Sequence, residues 1–217
     1  MTDDVSGAVD RGQDQRPWGT PPLGGTVPTG TGLRSRRLVH EAHALDRAVY
    51  DAVANTSTPT WDVPITWISN AANYGQLWVT IAGGIAIVGG SRGRRTAIRS
   101  LAVVGVTSIA TNFALKQVIR RRRPQRAAIT PAREARMPTS SSFPSGHTAS
   151  AFAFATAVTA DVPILAVPLF GLATAVGYSR VHTGVHYPAD VMAGAILGVA
   201  VGSIASAAGH QARGDTA

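Results

Sequence analysis

The sequence predicts an all-α integral membrane protein, a bundle of about five transmembrane helices preceded by an amphipathic surface helix. Two observations carry this. Charged residues make up only 15% of the chain, against about 25% in soluble domains. The charges are also segregated: no Asp, Glu, Lys or Arg falls in 63–91, 100–115, 137–160, 162–179 or 191–212. A helix crosses a hydrocarbon core of about 30 Å with roughly 17–25 apolar residues, and these stretches have about that length. A soluble helical domain is set aside because too few charges remain to solvate five helices. The length of 217 residues fits one domain.

Residues 1–38 contain Pro17, Pro21, Pro22 and Pro28 and glycines from Gly19 to Gly32. Such a segment buries too little apolar surface to fold and is expected to be a disordered polar tail. The opening Met1-Thr2-Asp3-Asp4 has no basic run followed by an apolar one, so no cleaved signal peptide is expected. Over 39–54, Ala42, Leu45, Ala48, Val49 and Val53 recur at helical spacing opposite Glu41, Asp46, Arg47 and Asp51. That pattern predicts an amphipathic helix on the membrane surface or on the bundle. Trp61, Trp67 and Trp78 come next, residues common at membrane interfaces. The five spans are expected at 71–91, 96–118, 146–161, 163–180 and 189–208. The main domain is then 39–210, with 211–217 a second tail.

Gly194, Gly198 and Gly202 lie on one face of the last span. Small residues at this spacing let helix backbones approach closely, either inside the chain or across a homodimer. The net charge is +8, almost all of it arginine near helix ends. Anionic headgroups account for such a distribution; without interleaved aromatics it does not suggest nucleic-acid binding. There are no cysteines and hence no disulfides.

Three polar islands end these apolar stretches. They are Lys116-x6-Arg123-Pro124, Pro144-Ser145-Gly146-His147 and Ser179-Arg180-x5-His186-x3-Asp190. Lys116 is the only lysine in the chain. Alternation of the spans brings all three islands to one membrane face. Ser145 is placed to cap a helix, and a helix start is also an anion site. Gly146 lets an anion reach the backbone. Asp190 falls in the first turn of a helix opened by Pro188, where a carboxylate compensates the dipole. It is also placed to orient His186, and a histidine so held is a competent nucleophile toward phosphorus. Lys116, Arg123 and Arg180 supply cations suited to the charge that builds on a transferring phosphoryl group. For Arg120, Arg121 and Arg122 headgroup contact is the favoured reading, and His182 has no distinct role. His182, His186 and Asp190 share metal-like spacing. They lack a third neutral or thiolate ligand and stand among cations, so no metal is expected.

Positive charge does not decide the orientation. The loop with Arg92, Arg94, Arg95 and Arg99 favours one side, whereas Arg120–Arg123, Arg126, Arg133 and Arg136 favour the other.

In order and spacing these islands resemble the signature of the type 2 phosphatidic acid phosphatase superfamily. The resemblance is specific over about 116–190 and general over 39–208. It implies metal-independent hydrolysis of a lipid phosphate drawn from the bilayer, with no cofactor. By the same resemblance, His186 is the nucleophile, Asp190 its partner and His147 the general acid. Lys116, Arg123, Ser145, Gly146 and Arg180 are implied to bind the phosphate. The site is implied to face the extracytoplasmic side of the plasma membrane. A non-catalytic lipid-phosphate binder and a vanadate-dependent haloperoxidase-like enzyme are the alternatives.

Overall fold

The computed structural model describes residues 30–125 and 129–214. Contacts divide the chain into two units, one up to Glu41 and one from Ala42 onward, and the second holds the helical bundle. Among the described residues the chain is helical and has no strand. Its helices are α1 (Gly30–Asn55), α2 (Pro59–Ala71), α3 (Gln76–Val88), α4 (Gly90–Val118), α5 (Gly146–Thr159), α6 (Ala166–His182) and α7 (Pro188–Gly214). Within α4, Ala110–Leu115 form a widened π-type turn.

α1 begins nine residues before the expected helix, because Leu33, Arg34, Arg36, Arg37 and Leu38 are good helix formers. The expected tail is therefore helical from Gly30, and 1–29 lie outside the described residues. The inward face of α1 also differs from the pattern reading. Leu45 and Val49 are exposed, while Asp46 and Tyr50 are buried. Tyr50 packs edge-on against Tyr187, with ring centroids 5.4 Å apart.

The span expected over 71–91 is instead a bent pair. Pro59–Ala71 and Asn73–Val88 meet at 64° and qualify together as one crossing by length and composition. The break is local: Tyr74 (φ 56°) and Gly75 (φ 74°) both adopt left-handed backbone, which glycine tolerates and tyrosine does not favour. Gly90–Val118, Pro163–His182 and Pro188–Gly209 are each long and apolar enough to cross a membrane.

α5, expected over 146–161, has 14 residues. At 1.5 Å per residue it is only about 21 Å long. Ala149, Ala151, Ala153, Phe154, Ala155, Ala157 and Val158 are fully buried at the centre of the bundle. The glycine stripe of α7 packs on it. A Cβ at Gly198 would lie 2.3 Å from the Ala149 carbonyl oxygen, and one at Gly194 2.5 Å from that of Ser145. The stripe is therefore used inside the chain. Trp78 of α3 meets Phe154 of α5 at 5.2 Å between ring centroids, joining the bent pair to the core. Beyond the C-terminal end of α5, Asp161 pairs with Arg99 at 2.8 Å and accepts from Thr96 Oγ1 at 2.8 Å.

Candidate active site

The second island starts α5. Ser145 is the N-cap: its Oγ accepts from the Thr148 hydroxyl at 2.9 Å and the Thr148 N–H at 3.5 Å. Its own N–H donates to the Asp190 carbonyl at 2.9 Å, tying the second island to the third. Gly146 faces the first island, since a Cβ there would lie 3.9 Å from Lys116 Nζ. His147 Nε2 lies 3.0 Å from Asn73 Oδ1, in the break between α2 and α3.

The third island closes the turn between α6 and α7. The Val185 and His186 N–H groups donate back to the Arg180 carbonyl at 3.0 and 3.1 Å, which turns the chain and sets the His186 side chain inward. His186 is buried, with Nδ1 3.6 Å from Asp190 Oδ2 and Nε2 3.3 Å from Arg123 Nη1. Burial pushes the imidazole pKa from 6.5 down to about 4, opposed by the Asp190 contact and reinforced by Arg123 and Arg180. Asp190 is fully buried, and its Oδ2 accepts from the Tyr187 N–H at 3.0 Å.

The first island leaves the last turn of α4. Lys116 Nζ donates to Asn112 Oδ1 at 2.9 Å and to Ser140 Oγ at 3.4 Å. Arg123 is clamped by carbonyls, donating to Val185 at 2.8 Å, Ser140 at 3.0 Å and Ser141 at 3.1 Å. This fixes one edge of its guanidinium beside His186.

Lys116, Arg123, Gly146, His147 and His186 share one cavity of about 540 Å³. Trp78 and Val79 of α3 and Leu101, Val104 and Gly105 of α4 give the same cavity an apolar lining. Cationic and apolar side chains therefore line one continuous space. Ser145, Arg180 and Asp190 do not line it. Ser145 is turned into its cap. Arg180 is buried and donates to Ser69 Oγ at 2.7 Å, and Asp190 stands behind His186.

Two sequence readings change here. Arg121, assigned to headgroups, is half-buried: it donates to Asp190 Oδ1 at 2.7 Å and pairs with Asp46. Burial works against its charge, but Asp46 and Asp190 more than offset this and raise its pKa. His182, left without a role, lies 3.1 Å from Asp62 Oδ1, which also accepts from Arg133 Nε at 2.8 Å. It therefore belongs to a different cluster from His186. Asn73, Asn112, Ser140, Arg121 and Asp46 were missed as partners of the site. None has a sequence signal apart from proximity to an island or a helix break.

A model of the PAP2 superfamily matches residues 97–213, more than half of the chain and all three islands. The chain belongs to the PAP2 superfamily. Among solved PAP2-type structures, its fold is similar to that of a transmembrane phosphatidylglycerolphosphate phosphatase from Bacillus subtilis. The TM-score is 0.63 at 25% identity, over 79% of this chain and 87% of that one. It is similar too to LpxE from Aquifex aeolicus, at TM-score 0.61 and 25% identity, over 74% of this chain and 94% of that one. Decaprenylphosphoryl-5-phosphoribose phosphatase from Mycobacterium tuberculosis is 38% identical over 99 residues, 44% of this chain and 51% of that protein. The chain thus spans about half the length of the curated relatives it matches. The helices long and apolar enough to cross a membrane, together with the two PAP2 structures, make this a membrane protein.

Proposed function

We propose that this PAP2 protein removes a phosphate from a monoester or diphosphate on a membrane lipid through a phosphohistidine, without a metal. His186 Nε2 attacks phosphorus, and the bond to the leaving oxygen breaks as His147 delivers a proton to it. A water molecule, giving a proton back to His147, then attacks the phosphohistidine and releases inorganic phosphate. Asp190 holds the Nδ1 side of His186 and balances the charge that forms there. Lys116 and Arg123 meet the equatorial oxygens, and backbone N–H groups at the start of α5 beside Ser145 and Gly146 add donors. Arg180, outside the cavity lining, adds only its positive charge at a distance.

One observation carries this reading. His186 stands between Asp190 and Arg123 at the wall of a cavity it shares with His147 and Lys116. A binder would need the cations but not the histidine pair. Isoprenyl phosphates or diphosphates, phosphatidic acid and phosphatidylglycerol phosphate are the first substrates to try, given the apolar lining and the names of the relatives. In this reading the site faces the extracytoplasmic side of the plasma membrane. That orientation is what the resemblance of the three islands implies. Positive charge does not decide it, because Arg92 and Arg99 on the opposite side are engaged by Asp161 as Arg121, Arg123 and Arg133 are by their own partners.

The test is inorganic phosphate release by the purified protein in detergent over that lipid panel. Wild type should release phosphate with or without EDTA. His186→Ala should release none while keeping its thermal unfolding profile. Full turnover by His186→Ala removes the mechanism, and lipid-phosphate binding without release by wild type supports a binder instead.

A further inference from the structure

We infer that Arg121 and Asp46 are positioning residues for Asp190, making α1 part of the reaction machinery; this rests on the phosphohistidine reading. Asp46, Arg121 and Asp190 come from α1, the segment after α4 and the first turn of α7. One Arg121 terminal nitrogen donates to Asp190 Oδ1 at 2.7 Å and the other to Asp46 Oδ2. The second Asp46 oxygen accepts from the Ala189 N–H at 2.8 Å, one residue before Asp190. Arg121 also lies over the Tyr187 ring, 4.4 Å from its centroid, directly after His186 in the chain. Tyr50, one turn on from Asp46, packs edge-on against the same ring and donates to the Gln125 carbonyl at 3.2 Å. Two inward residues of α1 therefore grip the same short stretch of catalytic backbone.

The chemistry needs such a grip. The 3.6 Å between His186 Nδ1 and Asp190 Oδ2 exceeds a normal hydrogen bond. It must close when phosphate binds, and catalytic contacts often tighten only in the complex. With Oδ2 held by Tyr187 and Oδ1 held by Arg121, the carboxylate plane has little freedom to rotate away. Charge points the same way. Two carboxylates and one guanidinium sum to a single negative charge, which balances one imidazolium at His186. The planar fork of arginine holds both carboxylates in a fixed geometry through separate nitrogens, which the single point charge of a lysine holds less rigidly.

The experiment measures kcat, KM and inhibition by orthovanadate, with phosphatidic acid in micelles as substrate. Losses for outer partners that orient a site ligand run about 10–100-fold, so Arg121→Gln should lower kcat by about that much. KM and vanadate inhibition should stay near wild type, because Lys116 and Arg123 are untouched. Arg121→Lys should recover part of kcat, and Asp46→Asn should show a smaller loss of the same kind. In an Asp190→Asn background Arg121→Gln should cost nothing further, as expected for residues acting through one another. Full kcat in Arg121→Gln overturns the inference. So does a parallel loss of vanadate affinity, which would make Arg121 a direct phosphate ligand, or an independent loss in the Asp190→Asn background. If Arg121→Gln does not fold, Asp46→Asn carries the same test, because it leaves the Arg121–Asp190 bond in place. Absence of phosphate release by wild type from every lipid of the panel above refutes the functional reading instead.

Discussion

Acidification distinguishes the buried His186 from an ordinary histidine. Its imidazole is held at about 4 rather than 6.5, chiefly by burial. At pH 5 a group with a midpoint of 4 is about 90% neutral, whereas one at 6.5 is about 3% neutral. Histidine-ring NMR in detergent, with the His186 signal assigned by its absence in His186→Gln, reads the midpoint directly. Removing the nearest cation, 3.3 Å from Nε2, with Arg123→Gln should move that midpoint upward. The same shift acts on stability, and its sign is fixed. Between pH 6.5 and 4 the unfolded chain binds a proton that the folded chain does not. This contribution to stability is complete above about 6.5 and lost as pH falls through 4, amounting to about 3 kcal/mol. A midpoint at or above 6, or one that Arg123→Gln lowers, refutes this account of the His186 environment.

Other substitutions probe the scaffold and the second histidine. Gly198→Ala should destabilise the protein by about 1–3 kcal/mol through overpacking, seen as a lower unfolding midpoint. Gly171→Ala, where nothing lies within 4 Å, should not. Arg133→Ala removes the guanidinium from the buried Asp62, leaving it the Thr58 hydroxyl and His182, and should cost about 1–3 kcal/mol in the same assay. Asn73→Ala removes the partner of His147 and should lower kcat by about 2–12-fold, the worth of one hydrogen bond. An unchanged kcat there separates Asn73 from the reaction.

The islands were legible because each is a short local pattern. A proline and a capping serine start α5, and His186 and Asp190 are separated by one helical turn across a helix start. Asp46 shows where such reading fails. On a helical wheel it belongs to the polar face of α1, which would ordinarily meet water. In the fold Asp46 alone of that face is buried, because Arg121 and the Ala189 N–H offer it partners, while Glu41, Arg47 and Asp51 stay exposed. Arg121 likewise looks like one of three equivalent arginines, Arg120 to Arg122, until coordinates separate them. The break at Tyr74 and Gly75 was hidden inside an uncharged run, where hydropathy reports length but not direction.

Composition and spacing alone determined a membrane-embedded helical protein and the three polar islands that lie within its family match. Both depend on near neighbours in the chain: runs of apolar residues, helix starts and one-turn separations. Tertiary structure decided which arginine faces His186, which one braces Asp190, and which histidine is diverted to Asp62. Those choices join residues more than sixty positions apart. They are set where the segment after α4 meets the turn into α7 and where α6 meets α2, and no local pattern encodes those meetings.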